Sequence, residues 1–331
     1  MTVVTQQGGI DPWALGALPL GVALDLALGD PRTWPHPVRA IGWLVARVER
    51  ALRIALGRLG GGKAGELLAG GVLVILVVGM TVTLVSLACE VLDLFGGPVL
   101  LIGRALLIYA ALAIRSLGDE TLRVADAPDL STARVELSKI VGRDTANLGA
   151  PEIHRACVET VGENTGDAVV GPLFWLALGG PVALWAYKAI STLDSMVGYT
   201  DRLHLYLGRA AARLDDLASL IPARLAWLLI ALAASLIGER GRAALRVGWR
   251  DGRKHPSPNA AWGEAAIAGA LGVRLGGPST YKGAPSFKPY LGEFLEPIDR
   301  RTVERAVRIM QVAALIAASA AWAARIALYG G

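Results

Sequence analysis

Cysteine is nearly absent from this chain. Two occur in 331 residues: Cys89 lies in an apolar run and Cys157 in a polar segment. That excludes a disulfide-stapled scaffold and predicts no structural disulfide. Charge is also scarce, at 18% of residues against about 25% in an ordinary soluble domain, while 53% are apolar. This excludes a disordered or collagen-like chain and argues against a freely soluble globule. The four histidines, His36, His154, His204 and His255, lack HExxH or any other close metal spacing, which argues against zinc. The first ten residues carry no Lys or Arg, so the basic start of a cleavable signal peptide is missing and the first apolar run reads as an uncleaved anchor. The net charge of +5 need not mean nucleic acid. Membrane proteins collect Lys and Arg in cytoplasmic loops.

Long apolar runs are what the chain does have. A bilayer crossing takes roughly 20 mostly apolar residues. Candidates are residues 12–29 (interrupted by Asp25), 67–95, 98–114 (after a Gly96-Gly97 turn), 169–190 (broken at Gly179-Gly180-Pro181), 223–238 and 307–329. The alternative for each is a buried helix of a soluble core; 67–95 is too long for that to be attractive. Arg32, Arg39, Arg47, Arg50, Arg53, Arg58 and Lys63 follow the first run, which places that loop in the cytoplasm. The Gly96-Gly97 turn is then outside and 116–167 inside. Beyond this point the topology depends on whether 169–190 crosses or turns back; re-entrant backbone is tolerated where protein buries it. The fold class expected is all-α: a polytopic integral membrane protein with about four to six embedded helices. Although the length alone suggests about two domains, we expect a single membrane-embedded domain over 1–331. Its helical polar loops are expected to share the cytoplasmic face and converge on one chamber.

Four polar clusters sit between the apolar runs. The first holds Asp30-Pro31 and His36-Pro37-Val38-Arg39. Proline keeps the preceding residue extended, so Asp30, His36 and Arg39 are held in a stiff turn, either as ligand contacts or as a helix stop. The second holds Arg143, Asp144 and Thr145, then a helix starting near Pro151. On it Arg155, Glu159, Glu163 and Asp167 recur every four residues and share one face, with Asn164 beside them. Three carboxylates in one stripe suit a cation such as nucleotide-borne Mg²⁺, or else a solvated face. The third holds Lys188, Asp194, Arg213, Asp215, Asp216 and Arg224. Its cations suit phosphate and its Asp pair suits Mg²⁺; paired charges on an interfacial helix are the alternative. The fourth holds Arg250-Asp251-Gly252-Arg253-Lys254 and His255-Pro256-Ser257-Pro258-Asn259, then Trp262 and Glu264. Ser257 or Asn259 can cap a helix whose start is also an anion site. Gly276-Gly277-Pro278 to Tyr281 reads as a loop. Residues 57–64 nearly match GxxxxGK[ST], but Ala64 replaces the Mg²⁺-binding hydroxyl and no strand precedes it.

Taken in order, these clusters resemble the CbiB/CobD family. They are Asp25…Gly29-Asp30-Pro31, His36-Pro37-Val38-Arg39, Val141-Gly142-Arg143-Asp144-Thr145, Glu159…Glu163-Asn164…Asp167, Leu193-Asp194-Ser195-Met196, Ala212-Arg213-Leu214-Asp215-Asp216, Pro222-Ala223-Arg224 and His255-Pro256-Ser257-Pro258-Asn259. The likeness runs from about residue 20 to 285. Ala261 stands where the family usually has Gly.

The resemblance implies an adenosylcobinamide-phosphate synthase in the cell membrane. Such an enzyme forms an amide between a propionate of adenosylcobyric acid, a cobalt corrinoid, and aminopropanol phosphate or aminopropanol. ATP would be the cosubstrate and Mg²⁺ the expected ion. Threonine-phosphate decarboxylase would supply the amine, and a homo-oligomer is compatible with the family. A carboxylate must be activated before it accepts an amine, as in an acyl phosphate, so phosphate charge must be balanced and the amine deprotonated. Residue chemistry then assigns Glu159, Glu163 and Asp194 to catalysis and Asp167, Asp215 and Asp216 to metal. Arg143, Asp144, Asn164, Lys188, Arg213, Arg224, Asp30, His36, Arg39, His255, Ser257 and Asn259 are assigned to substrate. Two other classes stay open: an AmpE-like accessory or signalling protein of the same superfamily, and a corrinoid transporter, which would place polar groups near the bilayer middle.

Overall fold

The computed structural model describes residues 12–31, 36–59, 61–199 and 201–329. Arg32 of the basic loop and Gly60 of the near phosphate-loop match lie outside them. The described elements are α1 (Pro12–Leu28), α2 (Pro37–Leu59), α3 (Gly62–Phe95), α4 (Gly97–Tyr109), α5 (Ile114–Ala125), α6 (Leu130–Leu137) and α7 (Ala150–Asn164). A π-helical turn (Thr165–Val170) leads into α8 (Gly171–Val197), α9 (Arg209–Ala218), α10 (Leu220–Leu236), α11 (Gly241–Asp251) and α12 (Ala260–Leu271). A hairpin, β1 (Arg274–Tyr281) and β2 (Ala284–Gly292), precedes α13 (Arg300–Tyr329).

Four helical stretches are long and apolar enough to cross a membrane: Gly62–Phe95, Gly97–Ala125, Ala150–Val197 and Arg300–Leu328. A fifth arises if α9 and α10, bent by 46°, count as one broken span. The chain is therefore an all-α, multi-pass membrane protein with one small hairpin. Of the six apolar runs, 12–29 becomes the shorter apolar helix α1.

The chain divides into two compact units. The first comprises the described residues of Met1–Leu112, Pro172–Ala218 and Ala318–Gly331; the second comprises Ala113–Gly171 and Ser219–Ala317. In the first, α3 ends because Gly96 and Gly97 take positive φ (61° and 50°), and Pro98 opens α4 where a missing N–H costs nothing. Helices α1 and α4 cross at Gly21, where an added Cβ would stand 2.9 Å from the carbonyl oxygen of Ala105. Helix α8 breaks where the sequence predicted, at Gly179 and Gly180, the latter at φ 68°. Arg325 of α13, itself buried, donates to the carbonyl oxygen of Leu176 at 3.0 Å just before the break.

In the second unit the centre is α12, every residue of which from Ala261 to Leu271 is buried. A helix apolar on all sides belongs inside. Its alanines and glycines let other helices approach closely: a Cβ at Gly269 would lie 2.6 Å from the carbonyl oxygen of Ala243 on α11. The hairpin is antiparallel, with Tyr281 opposite Ala284. Its turn residues, Lys282 and Gly283, both have positive φ (50° and 77°), as a type I′ turn demands. The segment 276–281, expected as a loop, is thus most of a strand. Its pairing slips between Leu275 and Gly277, a bulge made possible by Gly276 at φ 81°.

Candidate functional site

In the second unit, α7 and α12 touch backbone to backbone. A Cβ at Gly162 would lie 2.8 Å from the Cα of Glu264, and one at Gly263 only 2.1 Å from the carbonyl oxygen of Gly162. Each glycine is followed by a glutamate, Glu163 and Glu264, so the crossing brings carboxylates from two helices into one electrostatic neighbourhood. Glu159, one turn earlier on α7, completes the group.

Glu159 is buried and fully engaged. Arg143 Nη2 reaches its Oε2 at 2.5 Å, the bulge N–H of Gly276 donates to its Oε1 at 2.8 Å, and Arg155 Nε stands 3.7 Å away. Burial opposes the charge of Arg143, but Glu159 outweighs it and holds the guanidinium above its ordinary pKa. The catalytic expectation for Glu159 thus meets a residue that ties the 141–145 loop, α7 and β1 together. Glu264 is different. It is 1% exposed, and neither carboxylate oxygen has a hydrogen-bond partner among the described residues. The nearest cation is Lys288 of β2, with Nζ 4.0 Å from Oε1. Burial pushes the Glu264 carboxyl well above the usual range, and Glu163 and Glu159 push the same way against Lys288. Burial also works against the Lys288 charge, yet Glu264 and Glu163 keep its pKa above the ordinary lysine value. His255 lies within the same field. Burial first, then Lys288, lowers it to about 4, so it is neutral near pH 7.

Several of the anticipated substrate residues have local structural work. Asp144 accepts from the N–H groups of Lys282 (3.1 Å) and Gly283 (2.8 Å), and so clasps the hairpin turn. Ser257 Oγ accepts from Asn259 and Ala260 N–H, each at 3.3 Å, in the turn ahead of α12, whose N-cap residue Asn259 makes no side-chain capping bond, so the expected cap is not formed. The two His-Pro dipeptides fold alike. Nδ1 of His255 accepts from Ser257 N–H at 3.0 Å, and Nδ1 of His36 from Val38 N–H at 3.3 Å. Asn164 donates back to the Thr160 carbonyl of its own helix. The π turn begins directly after Asn164 and carries Asp167, so the four-residue stripe does not continue regularly past Glu163.

Arg224 and Asn259, 35 positions apart, do meet: Nη1 donates to Oδ1 at 2.6 Å. The same guanidinium stacks 4.7 Å over Trp262, while Arg253 stacks 4.4 Å over Trp249. Trp227 completes the aromatic group, 5.3 Å from Trp262. Lys288, Trp227 and Trp249 were not anticipated as site residues. Arg253, Trp262 and Glu264 were noticed only as members of the fourth cluster, without a role.

The remaining anticipated residues belong to the first unit. His36 Nε2 lies 3.3 Å from Asp30 Oδ1, and the Arg39 N–H donates to the His36 carbonyl. Asp194 and Asp216 both act electrostatically on Asp215. Gly198 is required beside Asp194, because a Cβ there would fall 2.0 Å from Oδ1. Arg213 is exposed and 3.6 Å from Asp216, and Lys188 lies on α8. Among the described residues, no group of three or more His, Cys, Asp or Glu side chains is arranged to hold a metal ion. Asp194, Asp215 and Asp216 nevertheless offer hard oxygen donors of the kind that meets Mg²⁺ carried by phosphates.

Comparison with known proteins agrees with this arrangement of motifs. The family described as CobD/Cbib protein matches residues 18–310. A cobalamin biosynthesis protein CobD of Pelobacter propionicus is 48% identical over 306 residues, covering 90% of this chain and 91% of its own. CobD of Klebsiella pneumoniae is 46% identical over 300 residues, 89% and 92% of the two chains. CbiB of Salmonella typhi is 44% identical over 314 residues, 93% and 96% of the two chains. No solved structure matches. With the match running across nearly all of its length, the chain belongs to the CobD/CbiB family of cobalamin biosynthesis proteins.

Proposed function

We propose that this protein joins the amine of aminopropanol phosphate, or of aminopropanol, to a propionate carboxylate of adenosylcobyric acid at the expense of ATP. The observation that carries the reading is the group formed by the buried Glu159, Glu264 and Arg143 with the half-buried Glu163, Lys288 and neutral His255. Amide ligation needs cations against the charge of a carboxylate being activated and a base for the amine. This cluster supplies both in surroundings where charges act strongly. Arg224 and Arg253, stacked on tryptophan, are further cations of the kind that meets phosphate oxygens. Mg²⁺ would come with the nucleotide, held by its phosphates and by a carboxylate such as Asp167. It would neutralise charge on the transferred phosphoryl group.

The reading places the protein in the plasma membrane with the site toward the cytoplasm, because Arg39, Arg47, Arg50, Arg53, Arg58 and Lys63 cluster after α1. Both native cysteines are buried, so a cysteine at the exposed Arg58 can be labelled selectively. Labelling from the outer side alone would reverse the orientation. The reaction itself is tested with purified protein given adenosylcobyric acid, aminopropanol phosphate, ATP and Mg²⁺. Amide product that vanishes on omission of any one organic substrate or ATP supports the reading. Product without ATP, or none in the complete mixture, rejects it.

A further inference from the structure

Glu264 poses an energetic problem that the rest of the cluster does not. A buried carboxyl with no hydrogen bond costs folding free energy. Here both oxygens are in that condition, while Glu159 a short distance away has its oxygens met by Arg143 and the Gly276 N–H. Lys288 does not solve the problem, since 4.0 Å is too long for a hydrogen bond. The residue is not there by default either. It sits on a helix that is otherwise apolar, at the glycine contact where any larger neighbour would drive α7 and α12 apart. A buried, unmet carboxyl beside a lysine ammonium and a second glutamate is complementary to another primary ammonium.

We propose that Glu264 is the residue that receives the ammonium group of the amine substrate and takes its proton. The inference rests on the ligase reading and deepens it by assigning a residue to the amine half-reaction. Lys288 marks where a positive charge rests in this environment, and Glu163, on the facing helix, adds a second negative group toward the same point. The step balances. The ammonium gives one proton to a Glu264 oxygen; the freed nitrogen lone pair forms the new C–N bond to the activated carbonyl carbon. The bond from that carbon to the phosphate oxygen breaks, and the second nitrogen proton leaves with the released phosphate. Glu264 must be ionised to act: Lys288 favours its charged form against burial, and burial in turn makes the ionised carboxylate a stronger base than an exposed one.

The test separates activation from amine transfer. Hydroxylamine is uncharged near neutral pH and attacks an activated carboxyl without needing a base. Full-length protein in detergent is given adenosylcobyric acid, ATP and Mg²⁺ with either aminopropanol phosphate or hydroxylamine, and both products are measured by mass spectrometry. Glu264→Gln is expected to lower amide formation about 100-fold or more, the scale of general base catalysis, and to leave hydroxamate formation within about threefold. Its residual amide rate should climb roughly tenfold per pH unit as more amine arrives unprotonated. Equal loss with both nucleophiles in a folded variant, or no loss with either, overturns the assignment. Should Gln at 264 prevent folding, Glu264→Asp must show the same split in milder form; equal loss there is also refuting. Wild-type protein that makes neither product rejects the ligase reading itself. Equilibrium binding of aminopropanol phosphate alone then decides the ammonium contact. Weakening of at least tenfold by Glu264→Gln supports it, and unchanged binding overturns it.

Discussion

The buried Arg143–Glu159 pair permits a quantitative prediction. At 2.5 Å between Nη2 and Oε2, two unit charges in a medium of effective dielectric about 20 attract by about 7 kcal/mol. Desolvating each ion costs several kcal/mol in return, so the pair as a whole contributes little net stability. Removing one partner is another matter. Arg143→Met leaves Glu159 buried with only the Gly276 N–H and an arginine at 3.7 Å. Glu159→Gln keeps the acceptor for Gly276 but leaves the guanidinium without its counter-ion. Each single change should cost about 3 kcal/mol, at the lower end of what is measured when a buried pair is broken. The double variant should lose only about 1 kcal/mol rather than the sum of about 6, because both charges leave together and the pair contributed little net. The coupling is then about 5 kcal/mol, the size measured for close charge pairs. Denaturant unfolding in detergent, followed by tryptophan fluorescence, reads all four proteins. Additivity within about 0.5 kcal/mol would refute the argument, since it would mean that the two charges do not depend on each other.

Two further predictions follow from backbone contact and from pH. Gly263→Ala must open the α7–α12 crossing by about 1 Å to relieve the contact with the Gly162 carbonyl. It should cost about 1–3 kcal/mol and about 100-fold in activity through displaced carboxylates. Gly71→Ala, whose Cβ meets nothing within 4 Å, should be harmless in the same thermal and turnover assays, and equal behaviour of the two would contradict this. Asp251 is buried among the Arg250 fork, Lys254 and the Gly292 N–H. Burial pulls its pKa up, but these partners win and hold it at about 2, below the ordinary 3.8. Its contribution, roughly 1–2 kcal/mol after allowance for solvent screening, is present above about pH 4 and lost as pH falls through 2. Unfolding curves of wild type and Asp251→Asn should therefore converge on acidification; a constant gap from pH 6 to pH 2 would be contrary.

The sequence was a good guide wherever a short segment decides its own structure. The apolar run within α3, the Gly96-Gly97 stop, the break at Gly179-Gly180-Pro181 and the start of α7 are all local events. They depend on length, φ and capping chemistry. What escaped depends on partners far along the chain. Helix α12 is short, made largely of Ala and Gly, and contains Glu264, so nothing in its own residues announces that it is the centre of a unit. Strand β1 looks like a glycine-rich loop until Gly276, 117 positions away, donates to Glu159. Lys288 lies on a strand that no sequence pattern had separated from its surroundings. Asp144 reads as a ligand in isolation; its actual partners are the N–H groups of a turn 138 and 139 positions away. The π turn spoils the regular count of four that joined Asp167 to Glu163.

The hydrogen bond from Arg325 to Leu176 sets an order on biogenesis. A carbonyl at a helix break inside the bilayer has no water to turn to, and its donor is synthesised 149 residues later. Until α13 is made and inserted, the broken half of α8 must wait with its polar backbone sheltered by the translocon, by a chaperone or by a temporary straight helix. Completion of this protein is thereby deferred to the arrival of its final transmembrane segment.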